Sequence, residues 1–186
     1  IKQQPKTYGH EIRTQDIHGQ QIQYAQWLHP KAYACAVQDA ELKRLQSFLN
    51  PGDVVIDIGA HMGDTTLPMA LSVGLSGTVI AFEPNAFVFP GLAEKTKLNP
   101  NSMNIRAYQI AITEDDRDVE FSYGDPGFMN GGSVERTRWF RWGNSYTQIV
   151  QGMRLDRFVA ENYPTFIDKI RYVKIDAEGY DYFVLK

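Results

Sequence analysis

The chain has 186 residues, 43% of them hydrophobic, which is enough for one core and short for two. A formal net charge of -3 offers no general attraction for a nucleic-acid backbone, and no apolar run approaches the roughly 20 residues that cross a bilayer, the longest being broken by Asp57, Pro68 or Glu83. The single Cys35 excludes an intramolecular disulfide, and with no signal-like segment at the start a reducing cytoplasm is the expected setting.

Within residues 11–27, Ile12, Ile17, Ile22, Tyr24 and Trp27 recur with His18-Gly19 between them as turn residues, predicting a β-hairpin. Over 39–49 the period changes: Leu42, Leu45, Phe48 and Leu49 share a helical face, Asp39 is placed as the N-cap and Pro51-Gly52 ends the element. Residues 53–58 (DVVIDI) read as a strand buried on both faces of a parallel sheet. After a turn at 59–63, Asp64, Thr65 and Thr66 can cap a helix carrying Leu67, Met69, Ala70, Leu71 and Val73, with Pro68 tolerated in its first turn.

Gly74 and Gly77 stop that helix, and 78–83 (TVIAFE) is a second buried strand. Pro84 opens a helix to about residue 98, with Pro90 disturbing its first half. Strand, helix, strand, helix implies right-handed crossovers in a parallel sheet. Residues 105–112 are a third strand and 119–123 are strand-like, whereas 124–144 read as a long functional loop. Residues 155–162 form a short helix, 171–176 (RYVKID) a fourth core strand lying beside the first, and a final helix starts at Tyr180.

The chemistry centres on DIGAHMG at 57–63, between a buried strand and a helix. Gly59 and Gly63 permit a sharp turn and close approach of a ligand, while the helix start offers free N–H groups. Twenty residues beyond Gly63, at the tip of the next strand, Glu83 can accept hydrogen bonds from a ribose diol. A nucleoside ligand follows. A dinucleotide usually requires G-x-G-x-x-G, and here Ala60, His61 and Met62 interrupt that pattern. Asp57 would repel a pyrophosphate but suits the ammonium and sulfonium of S-adenosylmethionine (SAM).

These motifs resemble the FkbM-like methyltransferases, SAM-dependent enzymes acting mostly on hydroxyl groups of natural products and sugars. The resemblance runs from about residue 49 to 186, on PGDVVIDIGAHMGDTT (51–66), VIAFEPN (79–85), the AI of YQIAIT (108–113), GGSV (131–134), LDRF (155–158) and VKIDAEGYDYFVLK (173–186). It implies a Rossmann-like α/β sheet with flanking helices, in which Asp57, Gly59 and Gly63 meet the methionine part and Glu83 the ribose. Ala60, His61, Thr65, Pro84 and Ala111 complete the expected cofactor set, and Asp176 and Glu178 stand beside the transferred methyl group. The family more often has Asn where this chain has His61.

Independently of the resemblance, the acids of IDAEG fall at the carboxyl end of a strand predicted next to the first, the edge where open α/β sheets bind ligands. A carboxylate there can take the proton of an acceptor hydroxyl, and Asp176 is favoured as that base. The alternative is that Asp176 orients the cofactor or caps the last helix while Glu178 pairs with a basic side chain. Two acids without a third ligand do not make a metal site, and His10, His18, His29 and His61 lack zinc spacing. RTRWFRW at 136–142 could stack on bases but reads better as an aromatic lid or packing loop.

The expected activity is therefore SAM-dependent methyl transfer to an oxygen of a small molecule or glycan, with no nucleic-acid partner. An NAD(P)-dependent oxidoreductase and a non-catalytic nucleoside-binding module are the alternatives. Residues 1–50 form an N-terminal hairpin and helix extension, and 51–186 the SAM-binding domain. The family sheet has about seven strands and roughly four are read here, so C-terminal strands of roughly 50 to 80 residues are expected to be lacking. The outer edge of the fourth strand would then be exposed, and a homo-oligomer is one way to cover it.

Overall fold

The computed structural model describes residues 6–123, 146–177 and 181–184. The chain begins with an antiparallel hairpin, β1 (His10–Ile17) and β2 (Gln20–Trp27). Its two turn residues, His18 and Gly19, have φ of 52° and 86°, the doubly left-handed backbone that matches the twist of paired strands. β2 turns Ile22, Tyr24 and Trp27 into the core, whereas β1 packs Ile17 against it and leaves Ile12 exposed.

Helix α1 (Asp39–Gln46) starts at Asp39 as expected, but Asp39 is its first residue and not its cap. Its carboxylate is drawn to His18 Nε2 at 3.1 Å and Lys43 Nζ at 2.6 Å, where it still opposes the positive end of the helix. β3 (Val54–Ile58) and β4 (Thr78–Phe82) are buried along their whole length, with α2 (Thr66–Val73) crossing between them and Pro68 in its first turn.

Helix α3 (Phe89–Lys95) is shorter than the element expected from Pro84 onward. The Asn85 side chain accepts from Phe87 N at 2.9 Å and its carbonyl from Val88 N and Phe89 N, so a turn occupies the first positions. The third strand also ends early. β5 (Ile105–Tyr108) stops where Glu83 N donates to Tyr108 O at 3.1 Å, because the next donor in the alternation, Asn85 N, turns back to Glu83 Oε1 at 2.7 Å.

The chain then leaves the sheet. β6 (Ala111–Ile112) pairs in parallel with β9 (Gly152–Met153), and β7 (Val119–Tyr123) antiparallel with β8 (Tyr146–Val150). Helix α4 (Leu155–Asn162) lies where 155–162 predicts it, and a short 3-10 turn, Pro164–Lys169, leads into β10 (Ile170–Ile175). A last helical turn, α5, spans Asp181–Val184.

The central sheet has the order β10-β3-β4-β5, all parallel, so the fourth core strand does lie against the first. Side chains of β3 alternate between two cores. Val54, Ile56 and Ile58 meet Ile80, Phe82, Phe158 and Val159 on one face, and Val55 meets the hairpin, α1 and α2 on the other. Residues before position 51 thus share a core with the central strand. The two hairpin isoleucines test this geometry: Ile22→Ala, at 1% exposure, should cost about 2–5 kcal/mol in urea unfolding, and Ile12→Ala, at 42%, under about 0.5.

Candidate functional site

Asp57 stands beside Ala81 on β4 and Lys174 on β10, one residue before the ends of the central strands. The 59–63 bend closes over this edge, with Gly59 N and Ala60 N both donating to Phe82 O at 3.0 Å. Gly59, His61 and Gly63 have φ of 72°, 51° and 79°. A Cβ at Gly59 would fall on the Asp176 carbonyl oxygen and 2.8 Å from its carbon; one at Gly63 would lie 2.8 Å from Leu92 Cδ1 and 3.2 Å from Lys95 Cδ. The room left by these glycines is therefore filled by the protein itself, which draws the bend onto β10 and α3.

The Asp57 side chain points to the α2 face and is fully buried. Its Oδ2 accepts from Thr66 Oγ1 at 2.6 Å and Thr65 Oγ1 at 3.2 Å, so these threonines serve the strand acid and leave the start of α2 without a side-chain cap. Oδ1 lies 3.1 Å from Lys174 Nζ, an ion pair without the alignment of a hydrogen bond, and finds no hydrogen-bond donor among the described residues. Lys174 instead donates to Gly59 O at 3.0 Å and lies 3.9 Å from Asp176 Oδ2. Asp176, whose N–H closes onto Ile58 O at 3.0 Å, has a side chain 65% exposed.

Glu83 is also enclosed. Its Oε1 accepts from Asn85 N at 2.7 Å and its Oε2 from His61 N at 2.8 Å. Burial pushes its carboxyl up to about 7, against the pull of those two N–H donors and Lys174. The neighbouring Pro84, half-buried, accepts from Gln148 Nε2 at 3.1 Å through its carbonyl. Asp57, Gly59, Ala60, His61, Gly63, Thr65, Glu83 and Asp176 thus gather at one sheet edge, whereas Ala111 sits on β6 beyond the end of β5. Glu178, the GGSV stretch and the RTRWFRW loop lie outside the described residues.

Two lysines were not singled out from the sequence. Lys174 lies within the RYVKID strand, but its pairing with Asp57 follows only from the register of β10 on β3. Lys95, buried on α3, donates to Met62 O at 2.5 Å and pins the bend from below; burial lowers its pKa. Nothing in the local pattern of α3 marks it.

Residues 57–186 match the methyltransferase FkbM domain family. The chain belongs to this family. S-adenosylmethionine is the cofactor of FkbM methyltransferases, and the parallel sheet with helices on both faces is their Rossmann-like α/β fold. Among solved structures this FkbM chain is similar to TYW2 from P. horikoshii in complex with MeSAdo, at 25% identity and a TM-score of 0.41, over 54% of this chain and 36% of that one. It is also similar to a SAM-dependent methyltransferase from Agrobacterium tumefaciens, at 11% identity and 0.40, over 54% and 33%. A putative rRNA-methylase from Clostridium thermocellum matches at 18% and 0.33, over 41% and 44%. The chain thus covers less than half the length of each of these structures. No curated protein matches it.

Among the described residues no helix is long and apolar enough to cross a membrane, and no group of three or more His, Cys, Asp or Glu could hold a metal ion.

Gly59→Ala should destabilise the FkbM domain by at least about 2 kcal/mol in urea unfolding, more than Gly63→Ala, since it meets backbone where Gly63 meets the ends of side chains. Glu83 sets a pH dependence. The folded protein keeps a proton there that the unfolded chain releases above 4.5, so stability is lost as pH rises from 4.5 to about 7. The melting temperature of the wild type should fall relative to that of Glu83→Gln across that window, and a pH-independent difference would contradict the raised carboxyl.

Proposed function

We propose that this FkbM domain binds SAM over the 59–63 bend and directs its methyl group to a hydroxyl oxygen of a small molecule or glycan. The observation that carries this reading is the buried Oδ1 of Asp57, an acceptor without a hydrogen-bond donor beneath a bend at the carboxyl end of the central strand. Such an atom suits the ammonium of the cofactor's methionine part, since an anion out of water is stabilised chiefly by a cation that also donates to it.

Glu83 would receive the ribose. Each of its oxygens is bonded to one N–H and keeps a second lone pair for a hydroxyl. Being enclosed, it meets a ribose only when the chain around the bend opens. His61 contributes its N–H to Glu83, Thr65 its hydroxyl to Asp57, and Ala60, Pro84 and Ala111 would line the cofactor.

When bound, SAM supplies an electrophilic methyl group. The chain's part is to hold the acceptor oxygen in line with it and to take the hydroxyl proton. Asp176 is assigned that proton: its carboxylate is exposed at the same edge, while Asp57 and Glu83 are committed to the bend. Glu178, two residues on, is assigned to the acceptor side. A small acceptor accords with the net charge of -3, and the cytoplasmic setting expected from the lone Cys35 belongs to the same proposal. Residues 1–50 act in it as an N-terminal extension, whose described part packs on the cofactor-binding part.

Isothermal titration with SAM, on the wild type and on Asp57→Ala and Glu83→Ala with folding checked by thermal melts, tests this reading. Binding by the wild type that both variants lose is the expected result. Heat on adding NAD and none on adding SAM would replace it with a dinucleotide enzyme.

A further inference from the structure

We infer that Lys174 is a placeholder cation: its ammonium holds the buried Asp57 carboxylate until the ammonium of the cofactor's methionine part takes that place, and Lys174 then moves to Asp176. This rests on the SAM reading above.

A carboxylate with no exposure requires a compensating charge, and among the described residues Lys174 is the cation that pairs with Asp57. The pairing is incomplete in a specific way. Oδ2 is taken by two threonine hydroxyls, so Oδ1 is the oxygen with room for a donor, yet Lys174 aims its hydrogen bond at the Gly59 carbonyl. Lys174 neutralises Asp57 without saturating it. A second ammonium entering under the bend could supply the missing bond.

Displacement has a ready destination. The Lys174 side chain is 17% exposed and already 3.9 Å from Asp176 Oδ2, so a shift of about an ångström along its flexible stem exchanges one carboxylate for the other. Beside Asp176 it would stand against the carboxylate assigned to take the hydroxyl proton. Lys174 is a positioning residue in this scheme, acting through the two acids that flank it.

The test separates ligands by their amino group. S-adenosylhomocysteine carries the ammonium and 5′-methylthioadenosine does not; both are titrated calorimetrically at pH 8 into wild type, Lys174→Met and the double variant Asp57→Asn/Lys174→Met. In Lys174→Met the preference for S-adenosylhomocysteine over 5′-methylthioadenosine should rise on the order of tenfold, because Asp57 then lacks a cation of its own. In the double variant the gain should vanish. An unchanged preference overturns the inference, and so does a reduced one, which would mean that Lys174 holds the cofactor's carboxylate instead. Lys174→Gln, whose amide can still donate to Gly59 O, replaces the methionine variant if that does not fold. If the wild type binds neither compound, the SAM reading fails first and the inference goes with it.

Discussion

A carboxylate sealed inside the end of the central strand governs the arrangement around it. Asp57 has no water to turn to, so its charge must be met by the chain. Two threonines at the start of α2 hydrogen-bond one oxygen and Lys174 of β10 stands against the other, tying the first crossover helix and the fourth strand to one atom group. The bend above must leave room for that convergence. Gly59 meets the condition, since a side chain there would strike the backbone of β10, and its own carbonyl accepts from the same lysine. Strand register, helix start and loop shape at this edge all meet at one buried anion.

Glu83 is a second enclosed acid with a different solution. It is bonded by two backbone N–H groups and, among the described residues, by no side-chain donor, so burial dominates and the carboxyl sits near neutrality. The two acids at neighbouring strand ends therefore differ in kind: one is paired with a cation, the other is poised to gain or lose a proton under physiological conditions. Under the proposed function, a ribose approaching Glu83 would meet a group whose charge depends on its surroundings.

The parts legible in the sequence are those whose signal is local. β3 and β4 announce themselves because burial on both faces favours a mostly apolar run rich in β-branched residues, and the hairpin because His18-Gly19 supplies two left-handed residues. The β5 boundary was hidden, since it depends on Asn85 N beyond the neighbouring strand being taken by Glu83, and β8 because YTQIV is short and mixed in polarity. Asp39 was misplaced as a cap because a nearby lysine and histidine compete for it. The residues of the candidate site were legible as a motif, but their partners were not. The enclosure of Asp57 and Glu83, the part played by Lys174 and the pin at Lys95 all follow from register and packing, which no window of sequence displays.

The hairpin's relation to the bend carries a mechanical implication. His61 sits in a left-handed conformation costly for a residue with a side chain, presents its ring edge-on to Trp27 of β2 at 5.4 Å and gives its N–H to Glu83. Trp27 in turn stacks on His29, which Tyr8 meets edge-on. A lever thus runs from Tyr8 and the hairpin, through the left-handed His61, to Glu83 at the tip of β4. Whatever grasps or releases that outer ribbon also shifts the acid to which the proposed function assigns the ribose.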